Sequence, residues 1–399
     1  MYFNVLGTDM IIIHSLQVAK DLMEKRGAIH SGRPGDVMNY YVMGWDWNVR
    51  GIGQTEVAQH EVVIVEETQP MLEGLPSVQG DPWDVFQAHV GAVVIRVTYG
   101  DSIYKEHGKE MKDLNHETLD LVTWVSTQFW LVNFIPWLRF LPDWLPLSFK
   151  KIGNKGLELQ KRMHFWPWQQ TVDHYKRGIA VPSIALEYLE KDENLDTVRD
   201  ASGMMYSAGT DNTASTFASF TSQMLLHPHV QRKIQAELDA EKGPSDTLPS
   251  FEQRPQLLYL DAAWRESMLL NPSTPLGVPH TALQEDVHEG YYIPKDTLLM
   301  TNIGLCVANR VSLPTQTRIP PKGGFQSTMQ PHQICLMYTT LYSALEEDRI
   351  GFTFAAAVLK MYDILQLQGE ELPKEFTYQD AITRRPEDVR CRFVPSKQD

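Results

Sequence analysis

The chain is short of cysteine, has no uninterrupted apolar run and carries no dense cluster of positive charge. Each shortage excludes something. Only Cys306, Cys335 and Cys391 occur in 399 residues, with neither paired nor metal-type spacing. That argues against a disulfide framework and fits a reducing compartment. The longest apolar stretch, Phe129 to Leu147, is broken by Asn133, Arg139 and Asp143 and by Pro136, Pro142 and Pro146. It is too interrupted to span a bilayer, so no transmembrane anchor is expected. No signal peptide precedes the strand-like Ile11-Ile12-Ile13. The 36 Lys and Arg are outnumbered by 50 Asp and Glu and form no stripe, so a nucleic-acid partner is not expected.

The composition is that of a globular chain able to bury a large core. No internal repeat or low-complexity linker divides it, and residues 1–399 read as one mixed, mostly helical domain. A helix is expected from about Ser15 to Arg26, and the pattern from Asp81 to Phe149 is helical and rich in aromatics. There Trp130, Phe134, Trp137, Leu138 and Leu141 share one face, which reads as a core face in preference to a membrane-touching one. Further helices are expected over Val198–Leu226, Val230–Glu241 and Leu257–Leu270, the last stopped by Asn271-Pro272. Tyr291–Asp296 reads as a strand edge entering a turn, and Val389, Cys391 and Phe393 alternate with Arg390 and Arg392 as a half-buried strand. Two stretches, Val49–Thr68 and Gly304–Thr353, lack any period although their neighbours are well patterned.

Chemistry-bearing residues cluster in two places. Ala208-Gly209-Thr210-Asp211-Asn212-Thr213 lies inside the long helical segment. A mid-helix glycine costs roughly 1 kcal/mol relative to alanine, which suggests that something flat approaches the backbone there. Asp211 and Thr213 then place an acid and a hydroxyl beside the gap, although a mid-helix Asp is more often solvated or capped. Arg265-Glu266-Ser267-Met268-Leu269-Leu270-Asn271-Pro272 runs straight into Pro275-Leu276-Gly277-Val278-Pro279-His280. A helix stopping at Asn-Pro before a stiff strand would project side chains into a fixed pocket, and an ordinary helix stop accounts for it equally well.

Taken in order, these pieces resemble the cytochrome P450 family, and its fungal members closely. The resemblance rests on Gly32-Arg33-Pro34, Met43–Trp47, Gly91–Gly100, Ala208–Thr213, Leu248–Pro255, Pro275–His280, Glu289–Lys295 and the final strand. It implies a mostly α fold with small β-sheets, holding haem b between two helices, with a Cys thiolate from a Gly-rich loop on the iron. It implies oxidation of a lipophilic small molecule by O₂, with electrons from an NADPH-cytochrome P450 reductase, at the endoplasmic-reticulum membrane. Ala208 and Gly209 would lie against the cofactor. Asp211 would belong to the acid-alcohol pair of the oxygen-activating helix, Glu266 would take the acid position of a Glu-x-x-Arg pair, and Leu276, Gly277, Val278 and Pro279 would line the substrate pocket.

The departures fall on the haem-binding parts. The Phe-x-x-Gly-x-Arg-x-Cys-x-Gly loop is absent, and Cys335 lies in Gln333-Ile334-Cys335-Leu336-Met337 without its glycines. No axial cysteine is identifiable, so no metal ligand is assigned. The Trp-Arg-x-x-Arg helix is absent too. Leu269 stands where the pair's arginine belongs, and a buried Glu266 without a cation would cost several kcal/mol or take up a proton. Asn212 holds the usual place of the alcohol, with Thr213 one step, about 100°, further round the helix. The N-terminal anchor and Pro-rich hinge are missing as well, which leaves the chain cytoplasmic or unplaced.

A shift of reading frame accounts for both patternless stretches. With suitable codons, Gly53–Glu61 read one nucleotide later spells Gly-Arg-Arg-Arg-Trp-Arg-Asn-Thr-Arg, which contains the propionate motif. Ser343–Asp348 read one nucleotide earlier gives Phe-Gly-Phe-Gly-Arg-Arg, and the same earlier frame yields Trp-Ala-Met, Pro-Asp-Pro-Asp and Pro-Glu-Arg across 304–323 in the family's order. This reading fails at Arg349 and needs a second break there. Residues 49–75 and 304–353 are therefore suspected out-of-frame segments. The expected function is a monooxygenase impaired in this chain, against the alternative of a non-catalytic, haem-free relic or mis-spliced product.

Overall fold

Apolar side chains at helical spacing bury most of the Trp83–Tyr99 helix, from Phe86 through Tyr99 with few exceptions. The structure, a computed structural model, describes residues 1–5, 7–49, 61–142, 144–191, 194–240, 249, 253–308, 344–379 and 383–396. The chain divides into two compact units.

One unit comprises residues 35–67 and 84–212. Its long helices are Trp83–Tyr99, Asp101–Thr127, Ser148–Lys176 and the first part of Leu195–Leu226. Gly100 joins the first two at φ 98°, a conformation that L side chains resist, and a Cβ there would lie 2.9 Å from Cγ2 of Val181. Met38, Met43, Trp45, Trp47, Ile95 and Tyr206 are among the core residues. Arg96 ties three segments together, binding Glu67 at 2.8 Å, Glu66 at 2.6 Å and Asp101 at 3.0 Å.

The other unit comprises residues 1–34, 68–83 and 213–399. A four-stranded sheet runs β1 (Tyr2–Val5), β2 (Thr8–Ile13), β6 (Leu298–Thr301) and β3 (His280–Thr281). β2 pairs parallel with β6, Met10 opposite Leu298 and Ile13 opposite Thr301. Two hairpin-like sheets follow: β4 (Asp286–His288) with β5 (Tyr291–Ile293), and β7 (Tyr362–Gln366) with β8 (Cys391–Pro395). The helical core brings Phe217 and Phe220 of the Leu195–Leu226 helix against Leu258–Leu270 and Ala344–Met361. Phe217 and Phe354 stack at 3.8 Å. Every residue from Ile350 to Leu359 is buried.

The mostly helical class with small sheets holds, and the expected long helices appear within a few residues of their expected bounds. The structure departs from the sequence reading in three places. Ser15–Arg26 is not a plain α-helix: Leu16–Ala19 is α, and Lys20–Lys25 widens to a π-helix. The stretches without period contain helices at Glu61–Gly74 and Ala344–Met361, plus a short one at Ile303–Ala308. Their apolar residues are too evenly spread round the axis, or too continuous, to give a 3.6-residue signal. The aromatic face of 130–141 is only partly core: Trp130 and Leu138 pack inward, whereas Phe134 and Trp137 are exposed.

Candidate active site

The Ala208–Thr213 segment lies near the middle of the 32-residue Leu195–Leu226 helix. A Cβ on Gly209 would meet Cγ2 of Val94 at 3.0 Å, so the missing side chain lets the Trp83–Tyr99 helix approach. Val94 of the neighbouring helix therefore fills the space a side chain on Gly209 would need, and Ala208 next to it is half-buried. Two residues on, Asp211 accepts a hydrogen bond to Oδ1 from Nε2 of Gln87 at 3.0 Å. Thr210 is buried and accepts from Nδ2 of Asn115 at 3.4 Å. Asn212 turns its Nδ2 back onto the carbonyl of Ala208 at 3.4 Å, as short polar side chains do in helices. Thr213 is buried, and lies two residues, about 200° round the helix, from Asp211. The acid and the hydroxyl therefore point to different sides.

Asp211 and Asn212 belong to one compact unit, and Thr213, Glu266 and Leu276–Pro279 to the other. Glu266 has no hydrogen-bond or ion-pair partner among the described residues, and burial pushes its carboxyl up to about 6. The neighbouring cation is committed elsewhere, since Arg265 binds Asp261 at 2.8 Å and Asp261 also holds Arg254 at 2.6 Å. After the helix stop, Gly277 turns the chain at φ 62°. Leu276 and Val278 face outward, 43% and 45% exposed, as an apolar surface. The Pro279 carbonyl accepts from Arg33 at 3.3 Å, which holds the 275–280 segment near Gly32-Arg33.

The resemblance calls for an axial thiolate, and the described cysteines do not fit that role. Cys306 directs its Sγ to the carbonyl of Ile13 at 3.7 Å, and burial pushes the thiol up to about 11. Cys391 is fully buried within β8, where burial and the Asp81 carboxylate raise its thiol further still. Cys306 is thus turned onto a backbone carbonyl, and Cys391 is locked in the β7–β8 ladder opposite Gln366, so neither lies in an open glycine-rich loop of the kind that presents an axial thiolate. Cys335 and Gly53–His60 lie outside the described residues. Among the described residues no cluster of three or more His, Cys, Asp or Glu could hold a metal. The donor set that is described therefore does not fit haem.

Gln87 is the site residue that sequence reasoning missed. It lies ahead of the Gly91–Gly100 motif, and nothing local to it signals that it reaches across 124 positions to Asp211.

The sequence profile described as Cytochrome P450 matches residues 1–310. Curated fungal relatives match along nearly the whole chain. Cytochrome P450 monooxygenase claR of Ampulloclitocybe clavipes is 26% identical, covering 98% of this chain and 79% of that protein. Tryptamine 4-monooxygenase of Psilocybe cyanescens is 26% identical, covering 100% and 86%. Among solved structures, a zebra fish cytochrome P450 with abiraterone superposes at a TM-score of 0.75, with 16% identity over 100% of this chain and 96% of that one.

Proposed function

We propose, from the premise that this chain belongs to the cytochrome P450 family, that its gene encodes a monooxygenase of lipophilic small molecules and that this polypeptide, as written, does not hold the haem. The carrying observation is the placement of the described cysteines, Cys306 turned onto the Ile13 carbonyl and Cys391 locked inside the β7–β8 ladder. Glu266 adds to it: no cation pairs with it among the described residues, and burial alone raises its carboxyl to about 6, so the family's acid–arginine pair is not formed here. In an intact relative, haem b would supply oxygen activation and a reductase would supply electrons. What this chain's own residues do is narrower: Gln87 orients Asp211, the acid of the helix motif, and Leu276 and Val278 offer apolar contact to a substrate.

Two breaks of reading frame remain the best account of the missing parts, with narrower limits than the suspected 49–75 and 304–353. The profile match stops at residue 310. Ile350–Leu359, wholly buried, behaves as native core, which favours a return to frame before Ile350. Likewise the Glu66 and Glu67 pairs with Arg96, and the Met71, Leu72 and Leu75 side chains in the core, favour a return to frame by about residue 64. The alternative, a haem-free relic without catalysis, draws on Leu269 and Asn212, which depart from the family inside segments that otherwise match it. The transcript decides between them. An overlapping frame across 50–60 and 309–349 that spells the propionate and ligand-loop motifs supports a mistranslated enzyme, and in-frame codons without one overturn it.

Membrane contact is the third element of the reading. No described helix is long and apolar enough to cross a membrane. Phe129, Leu131, Phe134, Trp137, Phe140 and Trp144 are nonetheless all exposed, the last at 80%. A cluster of aromatics with Arg139 among them suits the interfacial layer of a bilayer, where amphipathic rings and snorkelling cations settle.

A further inference from the structure

Within the unit that contains Asp211, the helices Trp83–Tyr99, Asp101–Thr127 and Leu195–Leu226 line a cavity of about 300 Å³. Its inner wall is formed by buried Gly91, Ile95, Asn115, Tyr206 and Thr210, and its mouth by charged side chains. A Cβ at Gly91 would lie 3.2 Å from Cγ of Lys112 and 3.8 Å from Cγ2 of Thr210, so the glycine keeps the floor open.

We propose that this cavity binds a small zwitterion of the chemical class of free α-amino acids. Two observations carry this. The first concerns charge. Asp84 comes from one helix and Lys109, Lys112 and Asp113 from another; all line the cavity, and none has an ion-pair partner among the described residues. Elsewhere in the same helices charges do pair, as Arg96 with Asp101 and Lys105 with Asp101. Unpaired charges of both signs round one opening are what a ligand carrying both signs would satisfy together, and a simple anion or cation would satisfy only half of them. The second is an unmet acceptor. Asn115 is 4% exposed and donates through Nδ2 to Thr210, yet its Oδ1 has no partner. A buried amide oxygen left unpaired costs free energy, and an ammonium N–H would relieve that cost.

The size is consistent, since about 300 Å³ is the lower end of the range for small-molecule pockets. Lys112 is suited to receive a carboxylate. Its stem packs beside Gly91 and its ammonium lies 5.6 Å from the Tyr104 ring, so the side chain is half-buried rather than swinging in solvent. Asp211 also lines the cavity, so a ligand here touches the acid of the helix motif. The inference does not depend on haem or on the frame reading.

Isothermal titration of the full-length chain with glycine, L-valine and L-glutamine tests it, alongside isobutylamine and isovalerate, the two half-molecules of valine. At least one amino acid binds saturably, and each half-molecule binds tenfold or more weakly than L-valine when valine is the ligand. Lys112→Met, which keeps the apolar stem beside Gly91, and Asp84→Asn at the exposed mouth each weaken binding at least tenfold while the circular dichroism spectrum is unchanged. Absence of binding by all three amino acids overturns the proposal, as does equal binding by the variants. Isobutylamine binding as tightly as valine overturns the zwitterion in favour of a plain cation site.

Discussion

A methyl group on Gly351 would run into the indole ring of Trp264, which lies directly on the Gly351 backbone where the two helices meet. Trp264 is fully buried and also packs against Phe220, with ring centroids 5.3 Å apart. An indole so confined cannot step aside. Gly351→Ala is expected to destabilise the chain by about 1–3 kcal/mol, the usual cost of overpacking a filled core. Urea unfolding checks it: the midpoint falls while the slope stays the same.

Glu266 sets a pH dependence of one sign. Its carboxyl is raised from 4.5 to about 6 by burial, so between those values the folded chain keeps a proton that the unfolded chain has released. Stability from this group is therefore full below about pH 4.5 and is lost as pH rises through 6. The loss amounts to about 2 kcal/mol at neutral pH. Glu266→Gln removes it, and the variant is expected to be more stable than the parent at pH 7.5 and equal to it near pH 4. Thermal melts across that range read the difference.

His89 sets a dependence of the opposite sign. Burial lowers its pKa from 6.5 to about 4, and its Nδ1 contacts the Glu67 carbonyl at 3.0 Å. The unfolded chain binds a proton between those values that the folded chain refuses, so stability is full above pH 6.5 and falls on acidification toward 4. His89→Gln is expected to flatten the acid limb by up to about 3 kcal/mol. Denaturant midpoints of parent and variant at pH 7 and pH 4.5 check it, converging if His89 is responsible.

How much of this was legible beforehand differs between fold and site. The helix bounds at Leu226 and at Leu270 could be read because a His-Pro and an Asn-Pro stop them, and strand β5 because Pro294 and Asp296 follow it. The Ala344–Met361 helix was not legible: ten successive buried residues, Ile350 to Leu359, erase any amphipathic period. At the site, the order of motifs pointed to the family, yet the packing role of Gly209 was not legible. Its helix makes room for Val94, a contact that only the packing of two distant segments creates. The Gln87–Asp211 bond was invisible for the same reason.

The exposed aromatics make a prediction that does not involve chemistry. Trp137, Phe140 and Trp144 are 62%, 73% and 80% exposed. Replacing all three by serine is expected to lower binding to anionic phospholipid vesicles roughly tenfold or more, since each ring contributes buried apolar area at the interface. Vesicle co-sedimentation measures it. Parent and variant are expected to share one melting temperature, because these rings are outside the core.

The most direct test of the account is the reduced, carbon-monoxide-treated absorption spectrum of the purified chain supplied with haem. A spectrum without the red-shifted Soret band of a thiolate-ligated haem is the expected result, since Cys306 is turned onto the Ile13 carbonyl and Cys391 is locked inside the β7–β8 ladder. Appearance of that band would contradict it, by showing that a cysteine of this chain ligates iron.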